Sequence, residues 1–187
     1  METLDKLFES FETGLRNGRA EKPKQYLKTL GLNYNDLRIG YNSSQFHHRK
    51  TQLVKDQYEA LGVLQKSGAS VNKKELNPYT VFGGYGIIFP LMDKSGKIVN
   101  YFAIRFTMKN PKEEYLNTEG VYPAYPYKNT KRLFITPTLM DCASLLQSKV
   151  LDQREAVIAL HNGELLPQHR EAIQSLTDLQ EIIIFKR

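Results

Sequence analysis

The chain has 187 residues, of which 41% are hydrophobic and 25% are charged. This length suits one domain or two small ones that share a core, and the 11 tyrosines and 9 phenylalanines argue against disorder over the whole chain. No apolar run approaches the ~20 residues of a membrane span, and the acidic, amphipathic start "METLDKLFESFETGL" is unlike a signal peptide. The single cysteine, Cys142, excludes an internal disulfide and a cysteine zinc site, which favours the reducing cytoplasm.

The charge of the chain is mildly basic. Its 26 lysines and arginines exceed its 20 acidic residues by a net +6. Such an excess is compatible with binding to phosphate backbones, but it also occurs in proteins that never contact nucleic acid. Charge alone therefore leaves the partner open.

The first part of the chain has the spacing of helices. Apolar residues recur at helical intervals in the first 15 residues, and Asn17 and Gly18 end this predicted helix. A short linker follows, and Pro23 can open a second helix that Gly31 closes.

A third helix is predicted from the pattern of residues 49–66, "RKTQLVKDQYEALGVLQK", although Gly62 weakens it. Residues 67–78, "SGASVNKKELNP", have the composition of a loop.

The period changes from Tyr79 onward, where two apolar runs flank "DKSG". Residues 87–89 and 98–106 predict the two strands of a hairpin, since Asp, Ser and Gly supply the turn chemistry. The segment between this hairpin and residue 131 is irregular and rich in proline and tyrosine.

The last 55 residues alternate between strands and helices. "RLFIT", "AVIAL" and "EIIIF" predict strands, and "LMDCASLLQSKV" and the segment from Pro167 to Leu176 predict helices. This alternation favours a small parallel sheet with right-handed crossovers. Ligands bind at the carboxyl ends of such strands, which here are Thr136–Thr138, His161–Gly163 and Lys186–Arg187.

The chain lacks the common signatures of catalysis and metal binding. No histidine pair has the spacing of metal ligands, and "FGGYG" lacks the lysine of a phosphate-binding loop. Asp141, the acid nearest the first strand end, falls inside a predicted helix. We therefore predict no catalytic residue, no metal site and no cofactor.

Cations with interleaved aromatic residues are typical of proteins that hold single strands. The alternative is a solvated helix start and a buried tyrosine cluster, and the residues alone do not decide between the two. The candidate contacts with nucleic acid are Arg38, Phe46, Arg49, Lys50, Lys97, Arg105, Tyr115, Asn117, Lys128 and Arg132.

The order of four phrases resembles the catalytic core of bacterial DnaG-type primases. They are "LRIGY" (Leu37–Tyr41), "GIIFPLMDKSGKIVNYFAIR" (Gly86–Arg105), "EYLNT" (Glu114–Thr118) and "TPTLMD" (Thr136–Asp141). The resemblance covers residues 23–187 and implies an α+β fold: a helical N-terminal part with an antiparallel hairpin or sheet, then a small Toprim-like α/β unit with a parallel sheet. It divides the chain into an N-terminal helix and linker (1–22), a primase-core-like subdomain (23–130) and a partial Toprim-like subdomain (131–187).

The chain departs from this pattern where the family places its chemistry. Gly86 stands where the family has an arginine, and Glu114 where it has a lysine near the incoming nucleotide. Thr136–Thr138 replace the Toprim glutamate, and the paired aspartates would lie at or beyond Lys186. The zinc-binding domain of the family has no counterpart.

Three hypotheses follow from the resemblance. The first is a non-catalytic, primase-like protein that binds single-stranded DNA or RNA in bacterial replication or a mobile element, with a helicase or zinc-ribbon protein as a candidate partner. The second is part of an active primase, completed by residues or a partner outside this chain, in which Mg²⁺ would act. The third is a structural or regulatory protein that retains the fold alone. All three place it in the cytoplasm, without a membrane.

Overall fold

The structure, a computed structural model, describes residues 1–17, 19–67, 79–107, 110 and 112–186. Gly18, Arg187 and all but the first residue of the loop predicted at 67–78 lie outside the described residues. The helices are α1 (Leu4–Arg16), α2 (Glu21–Thr29), α3 (Gln52–Ala60), α4 (Leu139–Gln147) and α5 (Pro167–Gln174). The strands are β1 (Gly40–Asn42), β2 (Leu64–Lys66), β3 (Tyr79–Val81), β4 (Gly86–Met92), β5 (Ile98–Arg105), β6 (Lys112–Tyr115), β7 (Arg132–Thr136), β8 (Glu155–Ala159) and β9 (Glu181–Ile184).

The chain forms two compact units, which interleave along the sequence. The first unit contains Met1–Pro23, Ile39–Phe89 and Phe102–Leu116. The second contains Lys24–Arg38, Pro90–Tyr101 and Asn117–Arg187. The boundaries drawn from the sequence after residues 22 and 130 remain predictions.

Helix α1 packs closely on strand β1 in the first unit. Thr3 caps the helix by accepting a hydrogen bond from the Lys6 amide at 3.3 Å, and the predicted apolar face is buried. A Cβ atom at Gly40 would lie 2.6 Å from the Cβ of Phe11. Only a glycine at this position allows the helix to lie this close to the strand.

The predicted helix over residues 49–66 is wrong in its second half. Helix α3 ends at Ala60, and Gly62 follows with a φ of 77°. The Val63 amide donates to the Tyr58 carbonyl at 3.1 Å, the bond that closes a Schellman motif. Leu64 then pairs with Val81 in the β2–β3 sheet. Leucine fits helical spacing and a strand equally well, so the period did not reveal this change.

The first two helices agree with the predictions apart from their limits. Helix α2 begins at Glu21, two residues before the proline that was expected to open it. Gly31, with a φ of 71°, closes it as predicted, and the Leu32 amide donates to the Leu27 carbonyl at 2.9 Å.

The predicted hairpin forms strands β4 and β5 of a four-stranded sheet in the order β1-β4-β5-β6. Every residue of β4 is buried, which explains its continuous apolar run. Asp93 holds the turn: its Oδ1 accepts the Ser95 amide at 2.8 Å and the Lys97 amide at 3.0 Å.

The last part of the second unit is a parallel sheet in the order β8-β7-β9. Its core contains Val121, Leu133, Ile135, Ile158, Ala172 and Leu176. Strand β9 lies at the edge, where the side chain of Ile184 remains 61% exposed. Within the described part of the chain, no helix is both long and apolar enough to cross a bilayer. The mixed α+β architecture, with antiparallel and parallel sheets, is confirmed.

We expect Gly40→Ala to lower the free energy of unfolding by about 1–3 kcal/mol, because the added methyl group overlaps Phe11. Urea denaturation measures this change. Leu53→Ala is the control: this side chain is 69% exposed on α3, so its removal should change stability by less than about 0.5 kcal/mol. An unchanged midpoint for Gly40→Ala would contradict the close packing of α1 on β1.

Candidate nucleic-acid interface

The side chain of Arg105 is engaged within the first unit. Its Nε lies 2.8 Å from Glu114 Oε1, and its Nη2 donates to the Val81 carbonyl at 2.9 Å. Both partners of the ion pair are largely buried, with 25% of the Arg105 side chain and 17% of the Glu114 side chain exposed. The register of β5 and β6 brings them together, since Arg105 faces Lys112 and Ala103 faces Glu114.

The Glu114 carboxylate collects three positive or donor groups. Besides Arg105, it lies 3.0 Å from Lys112 Nζ and accepts the Gly83 amide at 3.0 Å. Burial raises the pKa of Glu114, but the contacts with Lys112, Gly83 and Arg105 outweigh it, and the pKa falls below its usual value. The carboxylate is therefore ionised and occupies the space in which these groups could have met another anion.

The position of Gly86 has no room for a side chain. A Cβ atom there would lie 2.9 Å from the carbonyl oxygens of Gly83 and Ile104. A side chain at this position requires a shift of the backbone, so glycine matches the local geometry.

The two aromatic candidates pack against other aromatic rings of the first unit. The Tyr115 ring lies 4.8 Å from that of Phe102, measured between centroids. The Phe46 ring lies 5.0 Å from that of Tyr58 and 5.8 Å from that of Phe11, both edge to face. Both rings are half-buried.

Asn117 fixes a turn in the second unit. Its Nδ2 donates to the Val99 carbonyl at 2.9 Å, and its Oδ1 accepts the Glu119 amide at 2.8 Å. Its own amide donates to Asn100 Oδ1 at 3.1 Å. These bonds account for the polar groups of the side chain without a ligand.

Arg132 connects the three parallel strands. Its Nη1 lies 2.6 Å from Glu155 Oε1 on β8, and its Nε lies 2.8 Å from Glu181 Oε2 on β9. The two acids leave little positive charge for an external phosphate.

The remaining candidates are exposed cations: Arg38, Arg49, Lys50, Lys97 and Lys128. Among the described residues, Arg49, Lys50 and Lys128 form no ion pair. Lys97 lies beside Asp93, whose pKa is lowered first by the hydrogen bond from Ser95 and also by Lys97. Arg49 and Lys50 belong to the first unit, and the other three belong to the second.

The carboxyl end of β7 lines a pocket of about 530 Å³, together with α4 and the end of β9. The Thr136 hydroxyl donates to the Thr138 carbonyl at 3.0 Å, and Thr138 caps α4 by accepting the Asp141 amide at 3.2 Å. The hydroxyls predicted at this strand end therefore stabilise the start of a helix. In the ranges that the structure describes, no three potential metal ligands come together.

A second pocket of the second unit, of about 560 Å³, contains Lys128 together with two residues that the sequence did not single out as binding residues. These are Lys94, in the hairpin turn, and Tyr127, whose side chain is 83% exposed. The density of tyrosine and proline from Tyr122 to Tyr127 was the available signal, and it does not reveal which of these rings remains exposed.

Two histidines are buried side by side in the second unit. The rings of His161 and His169 are 5.1 Å apart, and His169 Nδ1 accepts the Leu166 amide at 3.0 Å. Burial, with a smaller effect of the neighbouring ring, lowers the pKa of His169 to about 4. Burial also lowers the pKa of His161. Both rings are therefore neutral at pH 7.

Comparison with known proteins agrees with this architecture. Residues 10–135 match the family model of the DNA primase catalytic core, N-terminal domain. A DNA primase domain from Pseudomonas aeruginosa is similar with a TM-score of 0.74 at 16% identity, covering 97% of this chain and 59% of that one. A DnaG primase catalytic domain bound to ssDNA is similar with a TM-score of 0.72 at 15% identity, covering 97% and 58%.

A third similar structure is the RNA polymerase domain of Mycobacterium tuberculosis DnaG in complex with double-stranded DNA, with a TM-score of 0.66 at 12% identity, covering 96% of this chain and 61% of that one. A search of curated proteins gives no match. The chain belongs to the family of DNA primase catalytic cores, and the resemblance seen in the sequence is confirmed. It spans about three fifths of the length of these structures.

We expect Arg105 and Glu114 to be coupled in stability. Glu114→Ala leaves the largely buried guanidinium of Arg105 without its counter-charge, and Arg105→Ala removes one of the two cations that pair with Glu114. The double variant should therefore lose less free energy of unfolding than the two single variants together. A double-mutant cycle in urea should give a coupling of about 0.5–3 kcal/mol.

The matched control is the exposed pair of Lys94 and Glu171, with nitrogen and oxygen 2.9 Å apart. Its cycle should give a coupling below about 1 kcal/mol, because solvent screens both charges. Equal coupling free energies for the two pairs would show that burial does not strengthen the interaction between Arg105 and Glu114.

Stability should decrease as the pH falls from about 6.5 toward 4. In this interval the unfolded histidine takes up a proton that folded His169 does not, because the folded pKa is about 4 and the ordinary value is 6.5. His169→Gln should flatten the dependence of the unfolding free energy on pH, whereas His48→Gln, at an exposed position, should leave it unchanged. Unfolding at a series of pH values measures this, and equal slopes for wild type and His169→Gln would contradict it.

Proposed function

We propose that this member of the primase-core family binds single-stranded DNA or RNA without polymerising nucleotides, in DNA replication or in a mobile element. The observation that carries the proposal is the set of exposed cations on a primase fold. Arg49, Lys50 and Lys128 extend into solvent without an acidic partner among the described residues, and Lys97 is also exposed. Strands of phosphates are the partners that such cations attract.

The similar structures support this choice of partner. One is a DnaG catalytic domain bound to ssDNA, and another is a primase domain in complex with double-stranded DNA. We favour single strands for this chain because the exposed ring of Tyr127 can stack on an unpaired base. Participation in replication follows from the family.

The remaining predicted contacts take a secondary place in the proposal. Arg105 would have to leave Glu114 before it could hold a phosphate, and Arg132 would have to leave Glu155 and Glu181. Tyr115, Phe46 and Asn117 already contact the protein itself. We therefore assign the initial attraction of nucleic acid to the exposed cations.

The lack of polymerisation is proposed from the residues that stand at the carboxyl end of β7. Phosphoryl transfer by Mg²⁺ normally requires several carboxylates around the metal. Thr136 and Thr138 stand at this strand end instead, and their hydroxyls bond to the local backbone. The parallel sheet would then serve as a Toprim-like scaffold, and the buried Cys142 suits a cytoplasmic protein.

A second candidate function is that of one part of an active primase. It is favoured by the match to the family model of the DNA primase catalytic core. Residues or a partner outside this chain, such as a zinc-ribbon protein or a helicase, would then supply the missing groups. Primer synthesis that requires such a partner in addition to this chain distinguishes this candidate.

We expect the protein to bind a fluorescently labelled oligo-dT at low salt and to release it as salt rises, because each contact with a phosphate frees a counterion. Replacing Lys50, Lys97 and Lys128 by alanine together should reduce the slope of log K against log salt by about 2, since each contact to a single strand contributes about 0.7. Fluorescence anisotropy measures both quantities.

A matched variant replaces Lys6, Lys22 and Lys28 by alanine, which changes the net charge equally and should retain the wild-type slope. No binding at low salt would refute the proposal and favour a purely structural or regulatory role. Primer synthesis by this chain alone, with Mg²⁺ or Mn²⁺ and nucleoside triphosphates, would refute the proposed lack of catalysis.

A further inference from the structure

The 560 Å³ pocket of the second unit has the size of a site for a small ligand. The hairpin turn around Lys94 forms one wall, the segment from Ala124 to Lys128 forms another, and α5 contributes Glu171. We call this site the turn pocket.

The walls of the turn pocket are held by bonds that do not involve a ligand. Asp93 fixes the turn through the amides of Ser95 and Lys97. On the opposite wall, the Lys128 carbonyl accepts the Thr177 amide at 3.0 Å. A ligand would thus bind to a site that is already formed. Affinity benefits, because little conformational entropy of the protein is lost on binding.

The acids of the turn pocket are engaged by their neighbours. Asp93 Oδ1 accepts three hydrogen bonds from the turn, two of them from Ser95. Glu171 pairs with Lys94 at 2.9 Å and accepts the Tyr125 hydroxyl at 3.3 Å. The positive charge of Lys128 has no such partner in the described part of the chain. Because Lys94 offsets the charge of Glu171 and Lys128 is unpaired among the described residues, the pocket repels a phosphate less than its two acids alone would suggest.

Tyr127 is the second unusual feature of the turn pocket. Its ring is 83% exposed beside Lys128, although a tyrosine ring is an apolar surface that proteins usually bury in part. An exposed ring next to a lysine can stack on an unpaired base while the ammonium contacts the adjoining phosphate.

We propose that the turn pocket binds one nucleotide unit of a single strand, with its base on Tyr127 and its phosphate at Lys128. This assignment rests on the proposed function and adds to it a place where an unpaired base is held. The contact is tolerant of sequence, because every base has a face that can stack. A double strand, with its bases paired and stacked, offers no face to Tyr127.

The experiment uses the absence of tryptophan from the chain. Tyr127→Trp introduces a single fluorescent reporter at the pocket, and Tyr85→Trp places one at an exposed tyrosine of the first unit. Titration with oligo-dT should quench the reporter at position 127 and leave the one at position 85 unchanged. An oligonucleotide with abasic sites should bind with a similar dependence on salt and quench neither.

A second variant measures affinity without the reporter. Tyr127→Ala should weaken the binding of oligo-dT about 5- to 160-fold, whereas Tyr127→Phe should bind like wild type, since base stacking contributes about 1–3 kcal/mol. Because the Tyr127 side chain is exposed, its removal should not unfold the protein, and a loss of binding would therefore reflect the missing ring. Urea denaturation of Tyr127→Ala checks this directly.

The outcomes separate this inference from the proposed function. If wild type binds oligo-dT while Tyr127→Ala binds equally well and position 127 is not quenched, the turn pocket is refuted and the proposed function stands. Equal quenching at positions 85 and 127 also refutes the assignment to this pocket. If wild type does not bind the oligonucleotide at all, the proposed function fails, and the turn pocket fails with it.

Discussion

The ionised carboxylate of Glu114 joins three segments of the first unit. It meets Arg105 on β5, Lys112 on β6 and the amide of Gly83 before β4. Its removal would leave a half-buried guanidinium without its counter-charge and a backbone donor without its acceptor. The hairpin in this primase fold therefore ends in an ionic cluster whose charges are paired within the protein. Its arginine, Arg105, stabilises the sheet and would have to leave Glu114 to bind a ligand.

Because these charges pair with one another, we expect nucleic acid to contact the protein away from the base of the hairpin. The candidate cations that remain exposed lie before β1, before α3, in the hairpin turn and after Tyr127. The hydroxyls at the strand end of β7 are also engaged within the protein, because Thr138 caps α4 and Thr136 donates to the Thr138 carbonyl. The chain thus has the fold of the primase family. We propose that it binds nucleic-acid strands through surface cations and the exposed ring of Tyr127.

The sequence predicted the hairpin and the parallel sheet, since apolar runs and turn residues there agree with the final packing. It failed after Ala60, because Leu64 continues a helical spacing and only the pairing with Val81 makes it a strand. It could not show that the Arg105 side chain pairs with Glu114 instead of extending into solvent, because that contact depends on the register of β5 and β6. The exposure of Tyr127 is likewise a property of the folded surface, which the composition of its segment does not reveal.

The central claim is that nucleic acid contacts the exposed cations and Tyr127 while the ionic cluster of Arg105 and Glu114 stays intact. Mapping amide chemical shifts by NMR during a titration with oligo-dT tests it most directly. The account predicts the largest changes at 94–97 and 125–128, with further changes around Lys50 and little at Gly83 and Glu114. The largest changes at Gly83, Arg105 and Glu114 would contradict it.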